Sequence, residues 1–317
     1  MLASLNHACG SFRVCLKMIR TEKQGLGALI KITLPYFALT AAYAAFVFLL
    51  EENIGDHIFK VSAQIGSVFG IAVAFFLGFR MNSAYDRWWE ARKIFGNLVN
   101  NSRSFTAKIY TYFQSPSNIV PDEDINRTVI AKELIDLTCC YISQLKNEIH
   151  EVPHPPYDQK TQSLFKKYAV EQTHKVSNEV LISLSTKIEM VFADKANIEK
   201  RDLMEHINQF YNIQGKAERI NNTPFLKIYS AFTRVTVLFY VLMIPFIIGD
   251  IDIGGEDSHL ELLAIPLLSI VSTLFLTINK LANLYGDPLE ENTTSVPIDQ
   301  ICQTIIENCQ EVKVKLS

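Results

Sequence analysis

Four stretches of this chain carry no charged side chain over lengths that match a lipid bilayer. Ile32 to Leu50 and Val61 to Phe79 each hold 19 consecutive uncharged residues. Leu262 to Asn279 holds 18, and Val235 to Gly249 holds 15, extending back to Tyr229 around the single Arg234. Nineteen helical residues reach roughly 28 Å, close to the thickness of a hydrocarbon core. A helix also pairs its own backbone N–H and C=O groups, which lipid cannot do for it. A pair of such runs fits the core of a large soluble protein, but four in two hairpins point to a bilayer. The sequence therefore predicts a multi-pass membrane protein with spans near 30–50, 60–79, 229–249 and 262–280.

The charges orient these spans. Glu51, Glu52 and Asp56 lie between the first two, with Lys60 as the only base. Asp250, Asp252, Glu256, Asp257 and Glu261 lie between the last two, with no Lys or Arg. Lys31, Arg80, Arg87, Arg92, Lys93, Lys227, Arg234 and Lys280 flank the opposite ends. By the positive-inside rule both termini and the long middle segment are cytoplasmic, in a plasma or inner cell membrane. The sequons at Asn100, Asn126, Asn221 and Asn292 then face away from any glycosylating compartment and are chance matches. Residues 1–24 lack the apolar region of a signal peptide and carry Arg13, Lys17, Arg20 and Lys23 against one acid, Glu22. Both a cytoplasmic juxtamembrane helix and a basic mitochondrial presequence fit that pattern, and the first is the simpler. The net charge of the 317-residue chain is −3, which excludes a basic nucleic-acid-binding surface. The six cysteines show no metal spacing and read as reduced thiols facing a cytosol.

Residues 80–228 are too many for a loop and read as helical. Helices are expected at about 82–112, 125–150, from 162–171 through 191, and at 197–213. Breaks are expected at Ser115–Pro121, Val152–Pro156 and Gly215–Pro224. No strand alternation bounded by hairpin turns is present. Because the second and third spans run straight into this block, residues 1–317 are expected to form one domain without a clean boundary.

His150, Glu151, Val152, Pro153 and His154 spell H-E-x-x-H, a zinc-protease signature. That chemistry needs both histidines on one helical turn, and Pro153 opposes a helix there. No dinucleotide or nucleotide fingerprint occurs. The expectation is a protein that is not an enzyme, with no cofactor and no metal.

Two stripes mark the second span. Gly66, Gly70, Ala74 and Gly78 recur every four residues, a face that lets helices approach closely. Ile71, Phe75 and Phe79 also recur every four, on a face turned by roughly 100°. Periodicity alone leaves that second face open to lipid, a neighbouring helix or a pore. Arg80-Met-Asn-Ser-Ala-Tyr-Asp-Arg-Trp-Trp-Glu-Ala-Arg follows directly and holds both tryptophans, Trp88 and Trp89, placed as interfacial anchors.

The run from Phe76 through Arg87, Trp88, Trp89 and Glu90 to Arg103 closely resembles the bestrophin family. Asn222-Thr223-Pro224 and Val296-Pro297-Ile298-Asp299 resemble its bacterial branch. The resemblance covers nearly the whole chain in order. It implies an all-α homopentameric ion channel with one central pore and no enzymatic activity. It places Ile71, Phe75 and Phe79 at an apolar neck, Ile198 at a cytoplasmic constriction, and residues 288–317 against a neighbouring subunit. It also implies that calcium gating, where the family has it, uses an acidic cluster after the fourth span. Here that stretch reads Asp287-Pro-Leu-Glu-Glu-Asn-Thr-Thr-Ser, with Asn292 and Ser295 where acids belong, so no calcium activation is expected.

The permeant ion is a small monovalent one, with chloride or another anion ranked first and sodium or potassium second. Apolar neck residues bind neither sign, so nearby charge sets the bias. Glu51, Glu52 and Asp56 favour cations if they face the pore, and Arg80 favours anions if it does. A membrane scaffold or receptor whose cytoplasmic helices bind a partner protein is the alternative from another class.

Overall fold

A computed structural model describes residues 22–54, 61–114, 127–152, 159–168, 170, 175–192, 196–248 and 264–316, all but a few of them in helices or turns. The helices are α1 (Glu22–Ile54), α2 (Ala63–Gln114), α3 (Arg127–Ile149), α4 (Gln159–Lys167), α5 (Val176–Val191), α6 (Asn197–Asn222), α7 (Lys227–Ile248), α8 (Ala264–Gly286) and α9 (Ile298–Val314). Four are long and apolar enough to cross a membrane, with candidate segments at Gly25–Glu51, Ala63–Gln114, Lys227–Ile247 and Ala264–Gly286. The expectations for residues 1–21 and for the acidic loop after α7 fall outside the described residues.

The described contacts divide the chain into two compact units, Met1–Ser83 with Leu226–Asn283 and Ala84–Phe225 with Leu284–Ser317. The divisions fall inside α2 and α8, so no linker separates the units there.

In the first unit, α2 packs on α7 through Val73, Leu77, Val237 and Val241, with Phe69, Tyr240 and Phe275 around them. The small-residue stripe works as a contact face over half its length. A methyl group added at Gly66 would lie 2.4 Å from Ile247, and one at Gly70 would lie 2.3 Å from the Tyr240 hydroxyl. Gly78 meets nothing within 4 Å. Hydroxyl groups join the other helices, as expected where lipid offers no hydrophobic drive between them. Thr40 on α1 reaches the Ser269 carbonyl of α8 at 3.3 Å and the Thr273 hydroxyl at 3.2 Å. Tyr43 donates to the Leu242 carbonyl at 2.9 Å, and Tyr229 to the Phe76 carbonyl at 2.9 Å. Pro35 and Pro245 are accommodated inside α1 and α7.

The second unit is built around α3. Leu134, Ile135, Leu137, Tyr141 and Ile142 are completely buried, so this helix is apolar on nearly every side. α5, α6 and α9 pack on it. α5 starts where Glu148 of α3 accepts the Ser177 N–H at 2.8 Å and its hydroxyl. A carboxylate at a helix N-terminus satisfies an orphan donor and the dipole together. That new start explains one departure from expectation: the segment from 162 to 191 forms two helices, α4 and α5, rather than one. The break placed at Gly215–Pro224 is also corrected, because α6 runs through Gly215 to Asn222. Phe210, Ile213, Ala217 and Ile220 keep one buried face across it, and packing outweighs the roughly 1 kcal/mol a mid-helix glycine costs.

The C-terminal helix joins the same core. Ile298, Ile301, Cys302, Ile305 and Cys309 of α9 are buried in the core of their own chain, and Lys313 pairs with Asp136 of α3 at 2.5 Å. One face of α9 is thus part of the core of its own chain. Cys139, Cys140, Cys302 and Cys309 are buried thiols outside any disulfide, and burial pushes the Cys302 thiol up to about 12.

Candidate functional site

α2 carries two opposed faces along its apolar half. Gly66, Gly70, Val73, Leu77 and Arg80 are buried, while Ile71, Phe75 and Phe79 are 72, 61 and 53% exposed. Phe75 and Phe79 meet edge to face, with ring centroids 4.4 Å apart and planes at 89°. Ala74 and Gly78 beside them are exposed as well, so the aromatic rings project from a helix with little else on that side. Mutual edge-to-face contact restrains each ring without any help from a second helix. The arrangement is an apolar ridge one helix wide that no other described helix covers.

Arg80 sits one residue beyond Phe79 but on the packed face. Its side chain is fully buried, and its two terminal nitrogens donate to the side-chain oxygens of Asn279 and Asn283 on α8. Its Nε finds no partner among the described residues. A guanidinium at a membrane edge must be hydrogen-bonded or hydrated, and here two amides fill that need. Arg80 is expected to favour anions if it faces a pore, and its side chain turns instead to α8. The signal for this partner was present but unread. Ser269, Ser272, Thr273, Thr277 and Asn279 are buried polar residues within an otherwise apolar run, and they mark the inward face of α8.

Of the acids expected at the outer mouth, Glu51 is half-buried at the end of α1. The Glu52 side chain and Asp56 lie outside the described residues.

The Arg-Trp-Trp-Glu motif has a structural job in the second unit. Arg87 Nη2 donates to the carbonyls of Ile220 and Thr223, both at 2.6 Å, and so closes the C-terminal end of α6. Trp88 Nε1 donates to the Thr294 carbonyl at 2.8 Å, and its ring lies over Tyr85 and against Tyr285. Glu90 pairs with Arg219 of α6. Trp89 is left about half exposed. The turn that Trp88 holds is organised by Asn292. Its Oδ1 accepts the Thr294 N–H and hydroxyl, both at 2.9 Å, and its Nδ2 donates to the Asp287 carbonyl at 3.3 Å. An amide in place of an acid at 292 therefore builds the turn from within.

Ile198 projects from the first turn of α6, 82% exposed. One turn on, Asp202 accepts from Lys108 Nζ and from the Tyr112 hydroxyl, both at 2.6 Å. Burial pushes the Asp202 carboxyl up, but the two hydrogen bonds outweigh it and hold the group below its usual range. His206, one turn further, is lowered by burial and by Lys108, and its Nδ1 lies 2.6 Å from Asn101 Oδ1. The base of the exposed isoleucine is thus tied to α2 by two turns of polar contacts.

The H-E-x-x-H string does not make a helical ligand pair at its described end. Glu151 takes a left-handed conformation, φ 52°, and donates to the Glu148 carbonyl, while Val152 donates to that of Asn147. These bonds terminate α3 before Pro153. Pro153 and His154 lie outside the described residues.

Comparison with known proteins agrees with this architecture. The sequence profile described as bacterial/fungal bestrophin protein matches residues 15–311. The voltage-dependent anion channel-forming protein YneE of Salmonella typhi is 27% identical over 242 residues, 75% of this chain and 73% of that protein. The voltage-dependent anion channel-forming protein sll1024 of Synechocystis is 23% identical over 260 residues, 80% of this chain and 78% of that protein. A crystal structure of a bacterial bestrophin homologue from Klebsiella pneumoniae superposes with a TM-score of 0.67 at 20% identity, covering 90% of this chain and 98% of that one. An all-helical fold with four membrane-length helices, an Arg-Trp-Trp-Glu clamp and a profile match from one end of the chain to the other have one explanation: this chain belongs to the bacterial and fungal bestrophin family, a family of membrane channels and not of enzymes.

Proposed function

We propose that this chain assembles as a homopentamer around one axis and conducts small monovalent ions passively, anions such as chloride first, with both termini in the cytoplasm. The observation that carries this reading is the exposed ridge of Ile71, Phe75 and Phe79 on a helix packed on its other side. Five such ridges facing an axis make a narrow apolar neck that opens and closes to water. Ile198 forms a second constriction. The names of the relatives as anion channel-forming proteins support the sign of the ion. One observation favours the alternative, a monovalent-cation channel. Arg80 is buried, which weakens the cation that would favour anions at the inner end of the neck and favours that alternative, with Glu51, Glu52 and Asp56 as its selectivity-biasing acids.

The test is the reversal potential of purified protein in a planar bilayer under a potassium chloride gradient. A value near the chloride equilibrium potential is expected. One near the potassium value establishes the cation alternative, and absence of current contradicts the channel reading.

A further inference from the structure

Half of the H-E-x-x-H string finds different company in the folded chain. His150 closes α3 with its side chain 13% exposed, and its Nε2 is shielded from solvent with no hydrogen-bond partner among the described residues. That nitrogen lies 4.0 Å from Asp299 Oδ1 in the first turn of α9. Nδ1 lies 3.9 Å from Glu291 Oε1 in the turn between α8 and α9. One ligand atom from each of the three residues falls within 4.8 Å of the other two. His150 and Glu291 border a cavity of about 490 Å³ that Asp287, Glu290 and Glu151 also line.

A buried imidazole nitrogen without a partner is uncommon, and it asks for an acceptor when it carries the proton and for a donor, a water or a metal when it does not. Two carboxylates facing that ring supply negative charge and no donor. Zinc-class ions bind imidazole nitrogen and carboxylate oxygen at about 2.0–2.2 Å, which sets ligand atoms about 3–4 Å apart. Closing from the observed separations needs less than about 1 Å at each ligand on that geometry. Glu291 and Asp299 are 78 and 60% exposed, so their side chains are free to make the adjustment. An imidazole ligand selects borderline first-row metals and disfavours calcium and magnesium, which want oxygen alone. Three protein ligands leave a position for water.

We propose that His150, Glu291 and Asp299 bind a first-row divalent cation of the zinc class, fastening the end of α3 to the turn before α9 and to the start of α9. Lys146 stands in the way of tight binding. Its Nζ is 3.1 Å from the same Asp299 oxygen and competes for it.

The experiment is a zinc titration of the full-length, tag-free protein against a chromophoric chelator, with thermal unfolding in parallel. One zinc per chain and a raised unfolding midpoint are expected for the wild type. His150→Ala and Asp299→Asn should weaken binding by about a hundredfold, at the upper end of what even outer-shell changes cost. Lys146→Met should tighten it several-fold, a result that damage to the fold does not produce. Calcium at equal concentration should leave the midpoint unmoved. Equal zinc binding by wild type and His150→Ala, no zinc binding by the wild type, or a preference for calcium would each overturn the assignment.

Discussion

At the scale of the residue, Asp202 and His206 of the second unit bear on how the protein answers to pH. Asp202 is held below its ordinary value of 3.8 and His206 below its ordinary 6.5. Both groups take up protons more readily unfolded than folded, so both withdraw stability as pH falls. His206 acts first, from about 6.5 downward to its lowered folded value, and Asp202 acts below about 3.8. Thermal unfolding followed from pH 8 to pH 5 should show a falling midpoint, and His206→Gln should flatten that fall. A fall of the same size in the variant would assign it to other groups. Neither shift was legible in the sequence, because it depends on Lys108 and Tyr112 of α2 arriving beside α6. Arg80 makes the same point differently. Its position at the end of an apolar run was plain, but the amides that turn it inward lie about 200 residues away.

At the scale of the element, two contacts fix helices against each other. A methyl group at Gly70 would meet the Tyr240 hydroxyl at 2.3 Å. Gly70→Ala should therefore destabilise the protein by about 1–3 kcal/mol, and Tyr240→Phe in the same chain should restore part of it. The midpoint in detergent measures both, and strictly additive losses would place the strain elsewhere. Arg87 closes α6 through two carbonyls with one nitrogen. Arg87→Lys keeps the charge but reaches only as a flexible point donor, so the last turn of α6 should fray. Amide exchange faster by at least about tenfold in residues 217–223, with α3 unchanged, is the expected signature. Helix existence was legible from periodicity, and so were all four spans. The ends were less so. Gly215 looked like a stop, yet the buried stripe of Phe210, Ile213 and Ala217 carries the helix past it. The start of α5 depends on Glu148, a cap contributed by another helix. A cap supplied from 29 residues away leaves no local signal.

At the scale of the whole molecule, the chain exposes apolar surface on α1, α2, α7 and α8, as a membrane protein must, so exposure alone does not separate a pore face from a lipid face. What sets the α2 ridge apart is its setting: three large side chains in register, two of them in ring contact, on a helix whose opposite face is packed against α7. That register was visible in the sequence, whereas its exposure and the burial of Arg80 beside it required the fold. The C-terminal helix packs one face into the core of its own chain. The central claim is that the ridge lines the conducting path. Single-channel recording of Phe75→Ala beside Leu238→Ala tests it most directly, since Leu238 is a similarly exposed apolar residue on α7, 52% against 61%. Raised open probability or leak in Phe75→Ala, with Leu238→Ala indistinguishable from wild type, is the predicted result. Unchanged currents in Phe75→Ala, or equal changes in both variants, would contradict it.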